Sequence, residues 1–500
     1  MSVSHRFYSN ISWNMLGKVG VLFVSLALSV VITRYLGMDQ YGVYASILVI
    51  PAFVRLLNSL GFETVINKSI PELNVNDPSH KQSRYLLRII FASRFVCIFF
   101  FSMAIYLCLP LYLQVINLPQ LISYRIPIVA YFAVTSMNSL YSTLFMTLLR
   151  YKIAVFVELF SYLSNLGLLV LFIFMEASIT GVMVAYIFSM FLTLVIYIWL
   201  SRRDFRGDIE KPDFSGLGQL AGVSWLATIF SFGLLTQSDL FLMNYFHIPM
   251  EKVGFYQLTT TAGTMLTFFL TGIQPLALSL FSETFTKDFA EGLKKVWNLI
   301  AAFPLFFSLP TYVFVFYDAK KILTLVYGSP FAEAEPVFRL FLLFLILRAI
   351  TGADFYGVTL YAIKKNNMIL RSTIEASVIN IILNLVLIPN YAELGALMGT
   401  GISILYMGFR RWMIVFKYVS LVDILNTSSK CLLISFIALI PTLVVSYVWS
   451  SYLVLDLALY LSAIILLLLK FKPVHKDQIL WFENQLPRAA KWIRPFSSLS

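Results

Sequence analysis

Residues 11–33 read ISWNMLGKVGVLFVSLALSVVIT, and after RYLGMDQ the chain runs on as YGVYASILVIPAFVRLLNSLGF over 41–62. Each run has about the 20 residues that a helix needs to cross the hydrocarbon of a bilayer. Both are continuously apolar rather than alternating, which excludes barrel strands. In lipid a continuous run must be a helix, because only a helix satisfies its own backbone there. The first run is also too long, and too evenly followed by others, to be a cleaved signal peptide.

The same pattern recurs to residue 471. The apolar segments are 11–33, 41–62, 86–112, 122–148, 153–175, 178–200, 218–244, 253–281, 295–317, 337–362, 370–389, 394–414, 430–450 and 452–471. Of 500 residues 59% are hydrophobic and only 12% charged, about half the charged share of a soluble domain. The expected fold class is an all-α integral membrane protein with about 14 transmembrane helices.

The formal charge of +12 invites a nucleic-acid reading, but the basic residues cluster in short connections between apolar segments. No nucleic-acid partner is expected. Of 37 Lys and Arg, 27 fall on the side that holds the N-terminus, the even-numbered connections and the tail. The opposite connections hold Arg34, Lys252, Lys320, Lys321 and Arg339. By the positive-inside rule both termini are cytoplasmic. Cys97, Cys108 and Cys431 lie in or beside apolar segments, and the four His are scattered. Neither set has metal-ligand or disulfide spacing, and no cofactor is expected. The longest external loop, roughly Asp318 to Glu335, offers no room for a catalytic domain. The tail carries Trp481, Phe482 and Trp492 and suits either a membrane surface or an ordinary solvated end.

The two halves repeat. Ser12-Trp13 recurs as Ser224-Trp225, and Gly42-Val43-Tyr44 as Gly254-Phe255-Tyr256, both 212 residues on. Gly181 matches Gly395 and Arg150 matches Lys364, each 214 residues on. The expected organisation is a six-helix lobe over 1–200, a cytoplasmic linker at 201–217, and a second six-helix lobe over 218–414. An additional helix pair over 415–471 and a basic tail over 472–500 complete it. An even number of helices per copy makes the repeats parallel, an arrangement that places substrate between halves.

Polar residues inside apolar spans mark candidate sites. Gln257, Thr260, Thr261, Thr264, Thr267, Thr271 and Gln274 follow a three-to-four spacing and so share one helix face. Such a face either lines a wet cavity or bonds to neighbouring helices. Weaker stripes run through Asn14, Lys18, Ser25 and Ser29, through Ser224, Thr228, Ser231 and Ser238, and through Thr373, Ser377, Asn380 and Asn384.

Intramembrane charges cost several kcal/mol when unsatisfied and are read as functional by default. The candidate cavity residues are Lys18, Arg55, Arg94, Arg348, Gln257, Thr260, Thr264 and Thr271. Each basic one is either an anion contact or half of an internal ion pair. Arg125, near an external helix end, suits snorkelling. Asp239, Glu158, Asp354 and Glu375 either pair with a base or hold a coupling proton or sodium ion. The first half sets Lys18, Arg55, Arg94 and Arg125 against Glu158 alone, and the second sets Arg348 against three carboxylates. A cationic first half suits an anionic head group, and the arginine fork suits phosphate.

Three stretches carry a family resemblance: RYLGMDQYGVYA from Arg34, LVYGSPFAEAEPVFRLF from Leu325, and NIILNLVLIPNYAELGALMGTGIS from Asn380. In order and spacing they resemble the polysaccharide-repeat (Wzx-type) flippases of the multidrug/oligosaccharidyl-lipid/polysaccharide exporter superfamily. The resemblance implies a V-shaped, MATE-like protein of two lobes in a bacterial inner membrane. It implies transfer of undecaprenyl-pyrophosphate-linked oligosaccharide, such as an O-antigen unit, between leaflets, with no enzymatic step. Polysaccharide polymerase and chain-length proteins are the protein partners it implies. A lipid II flippase and a drug–cation antiporter are the readings nearest to it, and the cationic first half argues against a cationic drug. A membrane-embedded polymerase or ligase is the rival from another class, and the short external loops argue against it. The chain has no Gly-x-x-x-x-Gly-Lys loop, so energy must come from a gradient or a partner.

Overall fold

The computed structural model describes residues 3–448 and 452–471 apart from 117, 177 and 215; inside its helices the side chains of 3–18, 76, 268, 269, 271, 272, 275, 276, 279 and 286–290 are not described. The described chain is helical throughout, with no strand. Its main helices are α1 (Val3–Ser59), α2 (Phe62–Asn76), α3 (Lys81–Val115), α4 (Arg125–Thr147), α5 (Tyr151–Phe174) and α6 (Ile179–Phe205). Then come α7 (Leu217–Thr228), a π-wound segment (Ile229–Gln237), α8 (Ser238–Tyr245), α9 (Met250–Leu266), α10 (Phe268–Ala302) and α11 (Leu305–Tyr317). The rest are α12 (Ala319–Tyr327), α13 (Glu335–Thr351), α14 (Ala353–Ala362), α15 (Asn366–Val415), α16 (Leu421–Val448) and α17 (Leu453–Phe471).

Among the described residues ten helical runs are long and apolar enough to cross a membrane, eleven if the pair α13–α14, bent by 48°, is one crossing. The protein is therefore a multi-pass membrane protein. Two of the ten, Val19–Ser59 and Asn366–Val415, have 41 and 50 residues. At 1.5 Å per residue the longer would run about 75 Å straight, more than twice the hydrocarbon thickness. Each is broken once, at Gly37 (φ 71°, ψ −179°) and at Ala392 (φ 49°, ψ −122°). The Gly37 conformation is open only to glycine. These breaks fall where the sequence places the connections between spans one and two and spans eleven and twelve. The expected span 253–281 is shared between α9 and α10, which meet at Thr267.

Two compact units make up the chain. The first comprises residues up to Gln257 with Asn380–Ala396; the second comprises Leu258–Ile379 and everything from Leu397. In the first unit α1 lies against α5, α5 against α6, and α6 against α4. One end of it is an apolar core of Ile66, Leu86, Phe91, Leu140, Tyr141, Phe145 and Tyr197. There Tyr141 stacks on Tyr197 with ring centres 6.1 Å apart. The start of α9 is locked onto α1 by two backbones in contact at Gly42 and Gly254. The segment 380–396 is held by Asn380 and Asn384, which reach Asp239, and by an ion pair of 3.6 Å between Lys252 and Glu393.

In the second unit α11 packs on α13 and α16, and α16 on α17. The fully buried Trp297 stacks on Tyr356 with centres 5.9 Å apart, beside the α13–α14 bend. The last helix is tied in by charge: Lys321 Nζ lies 2.6 Å from Asp456 Oδ2 and 3.3 Å from Asp318 Oδ1.

The sequence-matched stretches before α5 and α15 share a local conformation. Leu149 and Lys364 are both left-handed, at φ 57° and 59°, and the caps that follow, Arg150 and Lys365, have nearly equal dihedrals. The structural equivalent of Arg150 is thus Lys365, one residue beyond the match made on sequence. The basic tail, with Trp481, Phe482 and Trp492, lies outside the described residues.

Candidate functional site

Arg55 lies about four turns into the second crossing of α1, where a full charge is costly unless something answers it. Its side chain is exposed, and among the described residues it makes no hydrogen bond or ion pair. Tyr131 of α4 and the buried Arg94 of α3 are within electrostatic range. Tyr131 stacks on Tyr186 of α6, ring centres 5.1 Å apart and planes 18° from parallel. Tyr162 of α5 is within electrostatic range of Glu158 and Tyr131, and Tyr44 of α1 of both Tyr131 and Tyr186. Four helices of the first unit thus bring an arginine, a glutamate and four phenols together. Tyr44 is buried; Tyr131, Tyr162, Tyr186 and Glu158 are half-buried.

Asp239, at the start of α8, forms a second polar nest in the same unit. It is 0% exposed. The Tyr256 hydroxyl donates to Oδ2, the Asn384 amide donates to Oδ1 over 2.6 Å, and the Asn380 amide does so over 3.3 Å. Asn384 Oδ1 is buried beside it without a hydrogen-bond partner. Three hydrogen-bond donors converge on the carboxylate and hold it, and the Asn384 amide oxygen is left beside it as an acceptor. One turn further along α8, Asn244 Oδ1 accepts from Ser46 over 2.9 Å.

The other charges are held by neighbours. Arg94 is 0% exposed; it donates to Glu63 Oε1 and to the Asn58 carbonyl, each over 2.5 Å. So enclosed, it braces α2 against α3 and reaches no ligand in this conformation. Arg348 pairs with Asp354, and beside it is a cavity of about 40 Å³ lined by Phe341, Phe344, Thr400 and Ile404. Glu375 is shared by Arg410 at 2.8 Å and Arg371 at 3.0 Å. Arg125 sits over the Tyr106 ring and donates to the Tyr106 carbonyl. Arg411, near the end of the expected segment 394–414, turns inward and donates to Ser372 Oγ over 3.1 Å and Thr373 Oγ1 over 3.0 Å.

The threonine stripe is carried by two helices rather than one. Thr260 is half-buried, Thr264 exposed and Gln257 half-buried. The hydroxyls of Thr264 and Thr267 turn back to the carbonyls of Thr261 and Thr264. Gln274 donates to the Asp354 carbonyl over 3.1 Å. Most hydroxyls of the other stripes also bond within their own helix, as Ser224 and Thr373 do. The side chains of Thr271 and Lys18 lie outside the described residues.

Sequence reasoning named Asp239, Asn380 and Asn384 separately and did not join them. Two asparagines one turn apart on span eleven were the available signal. The tyrosines of spans two, four, five and six were missed, because tyrosine raises no alarm in an apolar run.

Comparison with known proteins follows the same lines. The family model for "Polysaccharide biosynthesis protein" matches residues 31–336. A curated Haloferax volcanii protein, "Probable low-salt glycan biosynthesis flippase Agl15", is 23% identical over 223 residues. That alignment covers 44% of this chain and 46% of the relative, so the match spans about half of the relative's length. Among solved structures, the lipid II flippase MurJ in an inward closed conformation superposes with a TM-score of 0.66 at 16% identity, covering 95% of this chain and 99% of its own. An inward-facing multidrug MATE transporter of the MOP superfamily superposes at 0.62 and 14% identity, covering 79% and 94%. At these identities the structures show a shared fold, the MATE-like fold expected from the sequence. With a model match across more than half its length, the chain belongs to the polysaccharide biosynthesis protein family, in a fold shared with MOP-superfamily flippases and exporters.

Proposed function

We propose that the protein is a flippase that moves undecaprenyl-pyrophosphate-linked oligosaccharide units from the cytoplasmic to the periplasmic leaflet of a bacterial inner membrane. Both termini are cytoplasmic in this reading, and the protein acts as a transporter, not an enzyme. The observation that carries it is Arg55: an exposed, mid-span guanidinium for which the described residues supply no carboxylate. A pyrophosphate brings two or more negative charges, and in a low-dielectric site the attraction is far stronger than in water. Arg348 and Arg411 are the corresponding cations of the second unit. Lys18 shares the role assigned to Arg55, and Gln257, Thr260, Thr264 and Thr271 are hydroxyl and amide contacts for the glycan.

Asp239 with Asn380 and Asn384 is the coupling site in this reading, for a sodium ion or a proton. Glu158, Asp354 and Glu375 serve as secondary acids. Polysaccharide polymerase and chain-length proteins would receive the product.

The experiment is complementation of a flippase-null strain, with membrane protein level checked by immunoblot. Arg55→Ala is expected to abolish surface polysaccharide, and Arg55→Lys to keep part of it, the fork being lost but not the charge. Lys18→Arg is expected to function and Lys18→Ala to fail. Full activity of both alanine variants sinks the anion-site reading.

A further inference from the structure

The first unit holds two stacked tyrosine pairs, and they differ in one respect that matters. Tyr141 and Tyr197 are buried among Leu, Ile and Phe side chains, as core rings are. Tyr131 and Tyr186 are half-buried; Tyr131 is in electrostatic range of Arg55, and Tyr162 and Glu158 are close by. A phenol in the interior of a membrane bundle brings a hydroxyl that must be satisfied, a cost that phenylalanine would avoid. Helix packing alone gives no reason for four clustered phenols, one of them in range of a mid-span cation.

A ring with an apolar face and a polar tip suits a ligand that has both. A polyprenyl chain has no use for hydroxyls, arginine or glutamate. A bare pyrophosphate has no use for an aromatic face. A sugar ring has C–H groups on its faces and hydroxyls around its rim, and it matches the combination. We propose that Tyr131 and Tyr186, with Tyr162 and Glu158 at their edge, form the platform on which a sugar ring of the glycan lies while Arg55 takes the phosphate. This rests on the reading of the protein as a glycan-lipid flippase, and it makes the first unit a reader of sugar as well as of charge. The stacked pair supplies the flat surface, and the phenol hydroxyls and the carboxylate supply hydrogen bonds to the rim.

The test uses the full-length protein in nanodiscs and two probes. One is bare undecaprenyl pyrophosphate; the other is the lipid-linked glycan extracted from host cells that lack this protein. Wild type is expected to bind the glycan lipid about tenfold more tightly than the bare lipid. The double variant Tyr131→Leu/Tyr186→Leu, which keeps apolar volume without the aromatic face, is expected to erase that preference and leave bare-lipid affinity within about twofold. Tyr131→Phe/Tyr186→Phe should keep most of the preference, since the stack survives. Arg55→Gln should weaken both probes alike. A leucine pair that weakens both probes equally, or that leaves the preference intact, overturns the platform while leaving the flippase reading standing. A wild type that binds neither probe, or an Arg55→Gln variant that loses neither, sinks the flippase reading and the platform with it. Tyr141→Leu, on the buried pair, should lower thermal stability without changing the ratio of the two affinities; a change in that ratio would also count against the assignment.

Discussion

Gly42 and Gly254 meet backbone to backbone. A methyl on Gly42 would stand 1.8 Å from the Met250 carbonyl oxygen, and one on Gly254 would stand 2.8 Å from the Met38 carbonyl oxygen. The two are matched positions in sequence, 212 residues apart. No rotamer adjustment relieves a clash with backbone. Gly42→Ala should therefore cost more than the roughly 1–3 kcal/mol of ordinary overpacking. Thermal melting of the purified variant, beside its level in the membrane, reads the loss. A variant as stable as wild type would show that α1 and α9 do not depend on this contact.

Arg94 gives the second prediction. Removing one member of a buried pair leaves the other charge uncompensated, at about 3–5 kcal/mol; Glu63 remains a quarter exposed, so the low end applies. Arg94→Met should lower the melting temperature, and Arg94→Met with Glu63→Gln should recover part of it. A double variant no better than the single one would mean that the lost bonds to the Asn58 carbonyl, and not the stranded carboxylate, set the cost.

Asp239→Asn tests ion coupling with little change of shape. The variant should reach the membrane at normal level and lose the ion dependence of glycan-lipid transfer into sealed vesicles. Asn384→Ala, which removes the spare amide oxygen, should weaken that dependence without abolishing it. Unaltered ion dependence in the Asp239 variant would leave the nest as packing between α8 and the 380–396 segment.

Cysteine labelling addresses the threonine face. In a background lacking the native cysteines, Thr264→Cys should react with a water-soluble thiol reagent, whereas the fully buried Thr259→Cys should not. Equal reaction at both sites would mean that the helix is not held as described. A periplasm-active reporter fused near Leu118 should be active and one near Asp208 inactive, which tests orientation independently of any site.

What was legible in the sequence follows from what each signal measures. Hydropathy reports burial in lipid, so the spans and the breaks near Gly37 and Ala392 stood out. Contact between distant helices leaves no such trace. Arg94 and Arg55 look alike in sequence, each a lone cation in an apolar run. Only the fold shows that one is enclosed by Glu63 and the Asn58 carbonyl and the other is exposed. The threonine periodicity was real, but the winding changes at Thr267 and several hydroxyls bond to their own helix. Asp239 was recognisable as an intramembrane acid; that Asn380 and Asn384 serve it depends on a packing that brings residues some 140 positions apart into contact.

The π-wound stretch Ile229–Gln237 ends two residues before Asp239. A π turn holds more residues than an α turn, so everything after it is rotated about the helix axis relative to an α continuation. Taking one residue out of that stretch would barely alter the length or hydropathy of the span, yet it would swing the carboxylate by about 100°. Asp239 would then turn away from Asn384 towards another neighbour. The aim of this acid is stored in the winding of the main chain before it, where an alignment scored residue by residue has nothing to count.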